Sequence, residues 1–312
     1  MSDSPRLSLR AMAAFAATVE QGSIAGAARV LNIAASAVAA SVDQVEAEVG
    51  AALLVRTRAK GISPTGEGRM LAARFRALLE DCDSVLEDAR AGAATLSGHL
   101  RIGYYAPVAP AFLPGLLIPL QRANPGLDVS LVDCAADEAQ AGLLAGRLDL
   151  ILFAAAPVRA GIVTRRLLDL PPYVLAPLGH PLARGPVALA DVAAHPLVLL
   201  DRPVAEPYVT ALFRDLGLAP RIAARANTTE MVRSLVGAGA GLAVLNMRPR
   251  TDRSYAGDGL AALPLSDEVA PITLLVGRAE GRPKRAVAVM QDLLLGWASG
   301  PRARDLIVAR NS

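Results

Sequence analysis

Residues 22–38, with the sequence GSIAGAARVLNIAASAV, decide the fold of the N-terminal region. Ser23 stands where a helix N-cap is expected, and the helix that it caps ends near residue 31. A turn of two residues then leads into a second helix over residues 34–49, which Gly50 ends. Two helices joined so tightly predict a helix-turn-helix, a motif whose second helix can lie in a DNA major groove.

The segments on either side of this motif predict a winged head and a long helix. Upstream, residues 7–21 carry apolar side chains at helical spacing. Downstream, residues 53–65 contain two short extended pieces around a basic turn, which indicates a hairpin wing. A helical pattern then begins at residue 66, and a helix of about 28 residues would extend roughly 42 Å. A second copy of the chain is the natural partner for its apolar stripe.

After residue 97 the pattern changes from helical to alternating strands and helices. The first round has predicted strands over residues 99–104, 127–133 and 148–153, with helices over residues 112–124 and 136–146. A second round begins near residue 162 and has strands over 173–177, 197–200 and 241–245, with helices over 207–216 and 228–237. A strand over 272–276 and a helix over 284–297 follow. This alternation predicts a mostly parallel sheet in two lobes, with a ligand where the strands' carboxyl ends meet.

We therefore expect an α/β multidomain protein with three parts. The predicted winged helix-turn-helix DNA-binding domain covers residues 7–65, with the helix-turn-helix itself at 23–42. A linker and dimerisation helix covers residues 66–97. An effector-binding domain covers residues 98–300, with one lobe formed by 98–160 and 267–300 and the other by 161–266.

Composition narrows the class of protein. The 312 residues are 53% hydrophobic, which favours folded cores over disorder, and the net charge of +3 means that any basic footprint must be local. Cys82 and Cys134 are far apart and lack neighbours at metal-ligand spacing, so we expect no disulfide framework, no metal site and a reducing cytoplasm. An uninterrupted apolar stretch of about 20 residues is absent, so we expect no membrane-spanning segment.

The chain resembles the LysR-type transcriptional regulators over nearly its whole length. In the head, the resemblance rests on residues 9–15 (LRAMAAF), 22–33 (GSIAGAARVLNI), 36–38 (SAV), Arg56-Thr57, Thr65 and Gly68. Farther on, it rests on residues 98–103 (GHLRIG), 148–150 (LDL), 179–182 (GHPL), 199–201 (LLD) and the segment from 227 to 241. The resemblance implies a homo-oligomer that binds double-stranded DNA and a small-molecule effector. It also implies a two-lobed effector domain like the periplasmic solute-binding proteins.

The expected DNA contacts come from the helix-turn-helix and the wing. They are Ser23, Arg29, Ala34, Ala35, Ser36, Val38, Ser41, Arg56, Arg58 and Lys60. Relatives usually have hydroxyl and basic side chains where this chain has Ala34, Ala39 and Ala40, and alanine offers no hydrogen bond to a base edge. We expect methyl contacts with thymine and shape readout to carry more of the specificity, and the wing cations to contact phosphates. The alternatives are a helix that only packs and a solvated charged loop.

The expected effector contacts are Tyr105, Ala106, Pro107, Asp201, Thr228 and Thr229. Backbone N–H groups after the first strand suit a carboxylate. Relatives often have Ser or Thr at that point, whereas Tyr105 and its apolar neighbours suit a ring-bearing effector. The structural alternatives are helix capping for the threonines and packing for the tyrosine.

The sequence does not suggest catalysis or a cofactor. The glycines at 237, 239 and 241 end a predicted helix and precede a strand, whereas a phosphate cradle follows a strand and opens a helix. His99, His180 and His195 have no obvious nucleophile nearby. Two rival hypotheses remain: a small-molecule-binding module with a degenerate DNA-binding head, and an α/β enzyme.

Overall fold

The computed structural model describes residues 7–57, 61–90, 95–154 and 157–308. These residues fall into two compact units. The first contains the chain up to His99 together with Gly126–Asp128 and Leu144–Leu148. The second contains Leu100–Pro125, Val129–Leu143 and the chain from Asp149 onward.

The first unit contains the winged helix-turn-helix that the sequence predicts. Its elements are α1 (Leu9–Gln21), α2 (Ile24–Leu31), α3 (Ala35–Val49), β1 (Leu54–Thr57), β2 (Gly61–Pro64) and α4 (Gly66–Arg90). Strands β1 and β2 pair antiparallel as the wing. The predicted linker helix extends to at least Arg90, and residues 91–94 lie outside the described part of the chain.

Local capping explains the boundaries of the first three helices. The Ser23 hydroxyl accepts a hydrogen bond from the Gly26 N–H at 3.0 Å, as expected for an N-cap. Asn32 adopts the left-handed conformation, with φ of 53°, and the short turn that it forms carries the chain from α2 into α3. The axes of these two helices meet at 111°, in the range typical of a helix-turn-helix. Gly50 ends α3 with φ of 74°.

Apolar side chains from all three helices and from α4 form the core of the head, which we define as residues 7–57 and 61–65. Val38, Val42 and Val45 place one face of α3 in this core. Phe15 and Phe75 pack edge to face with their ring centroids 6.0 Å apart. Helix α3 is therefore held by its valine face, which leaves its alanine-rich face outside.

The backbone at the start of the wing contacts both α3 and α4, and these contacts hold the wing in place. One Glu46 carboxylate oxygen accepts hydrogen bonds from the N–H groups of Leu53 and Leu54, at 2.7 and 2.9 Å. Thr65 caps α4 by accepting from the Gly68 N–H at 3.0 Å. A Cβ atom at Gly68 would lie 2.2 Å from the Leu53 carbonyl oxygen, so only glycine allows this close approach.

The second unit alternates strands and helices. Its first part contains most of β3 (Ser97–Tyr104), β4 (Gly126–Asp133) and α6 (Ala136–Leu144), together with α5 (Leu113–Ala123), β5 (Leu150–Ala154) and β6 (Ile162–Leu170). The following part contains β7 (Tyr173–Pro177), α7 (Leu189–Ala193), β8 (Leu197–Leu200), α8 (Ala205–Arg214), β9 (Ile222–Ala226), α9 (Thr229–Gly237), β10 (Ala243–Leu245) and β11 (Leu260–Pro264). Strand β12 (Ile272–Ala279) and helices α10 (Arg285–Ala298) and α11 (Pro301–Arg304) come last.

The described strands of this unit define two lobes. In the first lobe they form a sheet in the order β4-β3-β5-β12-β6, and in the second lobe they form the sheets β10-β7-β11 and β8-β9. The second lobe was expected to begin at residue 161, with no strand over residues 162–170. The structure has β6 there, and it belongs to the first lobe because it pairs with β12 as the edge strand of that sheet.

The five-stranded sheet is mixed and the sheet β10-β7-β11 is antiparallel, so the expectation of a mostly parallel sheet is wrong. Strands β3 and β5 pair parallel, as do β8 and β9. Strand β12 is antiparallel to both of its neighbours, and β7 is antiparallel to β10 and β11. Each antiparallel pairing joins strands that are distant along the chain, and hydropathy patterns do not report such partners.

The glycine run near residue 240 forms the predicted turn between a helix and a strand. Helix α9 ends at Gly237, and Gly239 has a φ of 86°. At Gly241 a Cβ atom would lie 2.2 Å from the Pro196 carbonyl oxygen. The run therefore lets two backbone segments pack closely and does not begin a helix as a phosphate cradle would.

In the described residues, no single helix is both long enough and apolar enough to cross a bilayer. Only α2 and α3 taken together reach the required length and hydropathy, and they are sharply bent with respect to each other.

Candidate DNA interface and effector cleft

The outer face of α3 is the surface with which a helix-turn-helix would meet DNA. Ala34, Ala35 and Ser36 are all exposed there. Ala34 occupies the N-cap position without a side-chain hydrogen bond, so the first turn of α3 has no side-chain acceptor of its own. This face has few side chains that can form hydrogen bonds. In the first turn of α3, Ser36 offers an exposed hydroxyl.

Two of the expected contacts on α3 are used inside the protein. Val38 is fully buried in the head core, which corrects its assignment as a DNA contact, because a side chain at 0% exposure cannot meet a base edge. The Ser41 hydroxyl donates to the Ala37 carbonyl oxygen of its own helix at 2.9 Å. Ser23, expected to face DNA, is partly buried and its hydroxyl accepts the capping hydrogen bond described above.

The basic residues expected at the interface lie on α2 and the wing. Arg29 is exposed near the end of α2. Arg56 on β1 donates from Nη2 to Asp43 Oδ1 on α3 at 2.7 Å, and both side chains are more than half exposed. This ion pair links the wing to α3 at the surface, where such pairs contribute little stability. Arg58 and Lys60 lie outside the described residues.

A cleft of about 360 Å³ opens between the two lobes of the second unit. The first lobe lines it with Ala106, Pro107, Val108, Pro110, Ala111 and Asp133. The second lobe lines it with Asn227, Thr228, Thr229, Glu230, Arg202, Arg233, Met247, Pro249 and Tyr255. Many of these residues follow the carboxyl ends of β3, β4, β8, β9 and β10, where open α/β sheets bind ligands.

Four of the predicted effector residues line this cleft: Ala106, Pro107, Thr228 and Thr229. Tyr105 is buried and lines a smaller, adjoining cavity together with Pro107 and Thr229. Asp201 is exposed outside the lining, and its backbone N–H donates to the Ala226 carbonyl oxygen. Its neighbour Arg202 lines the cleft instead.

Arg202 and Asp133 form the main charged feature of the cleft. Arg202 Nη1 and Nη2 donate to the two carboxylate oxygens of Asp133 at 3.1 and 2.7 Å. The pKa of Arg202 is raised, chiefly by the hydrogen bond to Asp133. Burial raises the pKa of Tyr105, which feels the charges of both residues, to about 12. The phenol is therefore neutral at physiological pH, while the guanidinium is charged.

Two buried donors at the cleft have no partner among the described residues. They are Arg202 Nε and Thr229 Oγ1. Leaving a buried polar group unpaired costs about 1–3 kcal/mol, so a ligand oxygen or a water that reached either atom would recover that cost. Thr228 differs, because its hydroxyl already accepts from the Met231 N–H at 3.3 Å as the N-cap of α9.

Sequence reasoning missed Asp133, Arg202, Met247 and Tyr255. The first two could have been found, because each follows or ends a predicted strand at the carboxyl edge of its sheet. Met247 and Tyr255 lie on the irregular connection between β10 and β11, which has no periodicity to read. In the described ranges, no group of three or more His, Cys, Asp or Glu side chains is placed to hold a metal ion.

Fold, head and cleft together define a DNA-binding regulator with a ligand-sensing domain. The profile described as "Bacterial regulatory helix-turn-helix protein, lysR family" matches residues 9–69. The profile of the LysR substrate binding domain matches residues 93–299. The chain therefore belongs to the LysR family of transcriptional regulators.

Individual relatives agree with this assignment. The HTH-type transcriptional regulator TtuA of Agrobacterium vitis is 28% identical over 264 residues, which cover 83% of this chain and 86% of the relative. A hydrogen peroxide-inducible genes activator of Pectobacterium carotovorum is 26% identical over 281 residues, covering 89% and 92% of the two chains. The crystal structure of HinK, a LysR family regulator of Pseudomonas aeruginosa, superposes with a TM-score of 0.62 at 29% identity, covering 94% of this chain and 98% of HinK.

Proposed function

We propose that this regulator senses a small anionic effector with a flat or apolar body. The observation that carries the proposal is the pair of unpartnered donors, Arg202 Nε and Thr229 Oγ1, beside an apolar cleft wall. A carboxylate or sulfonate oxygen would satisfy both donors. The N-terminus of α9 begins at Thr229 and favours negative charge at the same place.

The remaining lining suits the body of such an effector. Pro107, Val108 and Met247 offer apolar contacts, and the buried Tyr105 phenol lies next to them. A volume of about 360 Å³ is within the range of small-molecule sites. In this site the effector would lie near Tyr105, Ala106, Pro107, Thr228 and Thr229. The strand-end residue that contacts it would be Arg202 and not Asp201.

For the head, we propose that Arg29, Ala34, Ala35, Ser36 and Arg56 face double-stranded DNA. Alanine methyl groups would contact thymine methyls, and Ser36 would supply a direct hydrogen bond to a base. Arg56 would contact a phosphate, a contact that positions the head without reading sequence.

The proposed assembly is a homodimer or homotetramer in the cytoplasm, joined in part through α4. Several large apolar side chains on α4 are about half exposed or more: Met70, Leu78, Val85 and Leu86. Burial of this stripe against a second copy would remove it from water. We assign residues 7–65 to DNA binding, residues 66–97 to dimerisation and residues 98–300 to effector binding, with no catalytic step.

Selection of genomic fragments by the purified full-length protein, repeated at two salt concentrations, tests the DNA-binding part. We expect a short dyad-symmetric site. Arg56→Ala should weaken binding about equally on all sites and lower the slope of log K against log salt by about 1, whereas Ser36→Ala should change the ranking of sites. Binding that is blind to sequence would favour the rival module with a degenerate head.

Thermal-shift screening of small carboxylates, each paired with its uncharged amide, tests the sensor part. We expect stabilisation by some carboxylates and not by their amides, and loss of that stabilisation in Arg202→Gln. Equal stabilisation by the amides would contradict an anionic effector. Chemical turnover of any stabilising compound would instead support the rival α/β enzyme.

A further inference from the structure

Tyr255 is the most exposed large side chain at the effector cleft. It is 91% exposed, although it lines the cleft beside Thr228 and Glu230. It lies on the connection between β10 and β11, which we call the cleft loop (residues 246–259). A tyrosine ring normally buries most of its surface, so a ring left in solvent beside a binding cleft needs a physical reason.

A buried arginine on α9 holds the backbone of the cleft loop by hydrogen bonds. The Arg233 side chain extends from α9 and is only 2% exposed. Its Nη2 donates to the carbonyl oxygens of Thr251 and Arg253, both at 2.7 Å. Its Nε donates to Glu230 Oε2 at 3.1 Å. One buried guanidinium therefore ties two carbonyl groups of the loop to the first turns of α9.

The same glutamate fixes the position of Tyr255 directly. Glu230 Oε1 accepts a hydrogen bond from the Tyr255 N–H at 2.6 Å, so Glu230 bonds Tyr255 with one oxygen and Arg233 with the other. Next to it, Ser254 N donates to the Asp258 carbonyl oxygen at 3.0 Å, and the Ser254 hydroxyl donates to Asp258 Oδ2 at the same distance. Ser254, directly before Tyr255, is thus anchored to Asp258, three residues after it.

The hydrogen bonds of Arg233 and Glu230 hold the cleft loop in one conformation. Ordering backbone residues costs conformational entropy of about 1–2 kcal/mol each. In this loop the ordering presents an aromatic ring that packs on almost nothing. An exposed ring on an anchored backbone beside the cleft is suited to cover a flat ligand, because offset stacking adds dispersion and quadrupole attraction.

We propose that Tyr255 is the stacking wall of the effector cleft and selects effectors with a planar face. The inference rests on the proposed anionic effector, whose charged group would lie at Arg202 and Thr229. Glu230 and Arg233 hold the backbone of Tyr255, and its ring would stack on the planar face of the effector. The proposed class of effector is thereby narrowed to aromatic or otherwise planar anions.

The test uses 8-anilinonaphthalene-1-sulfonate, which combines planar aromatic rings with an anion, titrated into the full-length protein and followed by fluorescence. We expect saturable binding to the parent, and a dissociation constant that is raised roughly 3- to 10-fold by Tyr255→Ala. Tyr255→Phe keeps the ring and should stay within about 2-fold of the parent. Leu216→Ala removes another exposed apolar side chain, 50% exposed in the second lobe and outside the cleft lining, and should change nothing.

The variants separate this inference from the proposed function. Arg202→Gln weakening binding while Tyr255→Ala does not would overturn the stacking wall alone. The reverse result would uphold the wall and overturn the anion site. A Tyr255→Phe variant as weak as Tyr255→Ala, or no saturable binding to the parent, would also overturn the wall. Urea midpoints of Tyr255→Ala and Tyr255→Phe should equal that of the parent, because the Tyr255 ring is 91% exposed and has little buried contact to lose.

Discussion

Arg202 and Asp133 pair across the effector cleft through two parallel hydrogen bonds, Nη1 to Oδ2 at 3.1 Å and Nη2 to Oδ1 at 2.7 Å. Asp133 is the last residue of β4 in the first lobe, and Arg202 follows β8 in the second. The Arg202 side chain is 18% exposed, so solvent screens the pair less than it would an ion pair at the open surface. The two lobes are therefore joined by a charged contact at the place where an anionic effector would bind.

We predict that Asp133→Asn loosens the two lobes in the absence of any ligand. The amide cannot hold both guanidinium nitrogens as a carboxylate does, so the separation of the lobes should become more variable. The measurement is the distance distribution between nitroxide labels at Arg122→Cys and Arg214→Cys, one in each lobe. It is made in a Cys82→Ser background and diluted with unlabelled protein.

Two further variants control this measurement. Asp137→Asn breaks the exposed pair of Asp137 with Arg159, which lies within the first lobe, and should leave the distribution unchanged. Exchanging the charges, with Asp133→Arg and Arg202→Asp together, should narrow it again. Superimposable distributions for the parent and Asp133→Asn would show that the ion pair does not hold the lobes.

The adjacent threonines at the start of α9 should respond to substitution in opposite ways. Thr228→Ala removes the N-cap hydroxyl that accepts from the Met231 N–H, and should lower the free energy of unfolding by about 1 kcal/mol. Thr229→Val removes a buried hydroxyl without a described partner and keeps the side-chain shape, so stability should be unchanged or raised. Urea denaturation of the full-length protein compares them, and equal losses would contradict the assigned roles.

Two glycines at the start of α4 should differ in the same assay. Gly68→Ala places a Cβ atom 2.2 Å from the Leu53 carbonyl oxygen, so the wing must shift, and we expect a loss of about 2 kcal/mol or more. Gly66→Ala meets nothing within 4 Å and replaces glycine by a better helix former, so it should stabilise slightly. A tolerated Gly68→Ala would mean that the wing is not tightly held against α4.

The buried thiol of Cys134 should be unreactive. Burial raises the pKa of this thiol to about 11 from an ordinary 9.0. At pH 8 the thiolate fraction should therefore be about 100-fold lower than that of an ordinary cysteine. We expect iodoacetamide and hydrogen peroxide to leave Cys134 unmodified in the folded protein, as read by mass spectrometry, and iodoacetamide to label it in urea.

The same shift gives a pH dependence of stability. The folded state favours the neutral thiol, so this contribution is complete below pH 9 and is lost as the pH rises toward 11. Cys134→Ser should therefore flatten the fall in the urea midpoint over that pH window. Rapid modification of Cys134 at pH 8 would contradict its assignment as a structural residue. The test is of interest because one relative is named a hydrogen peroxide-inducible genes activator.

The sequence by itself determined the head and the kind of protein, because the signals for both are local. Ser23 caps α2, Gly22 and Gly50 end helices in the left-handed conformation, and Gly68 allows the wing to approach α4. The caps and helix ends depend on one residue and its near neighbours along the chain. The approach at Gly68 depends on one close backbone contact. Many of the strands and helices after residue 97 were also predicted, because burial imposes a period on each element, but strands β6, β9 and β11 and helices α7 and α11 were not.

Tertiary structure alone decided which side chains meet at the cleft and which are withdrawn from DNA. Val38 belongs to the recognition helix by position, but helix rotation against Phe15 and its neighbours places it in the core. Strand β6 joins the first lobe because β12 returns to pair with it, about 110 residues along the chain. Arg202 meets Asp133 from 69 residues away. Hydropathy and capping act over one or two turns, whereas pairs at such separations exist only once the lobes have packed.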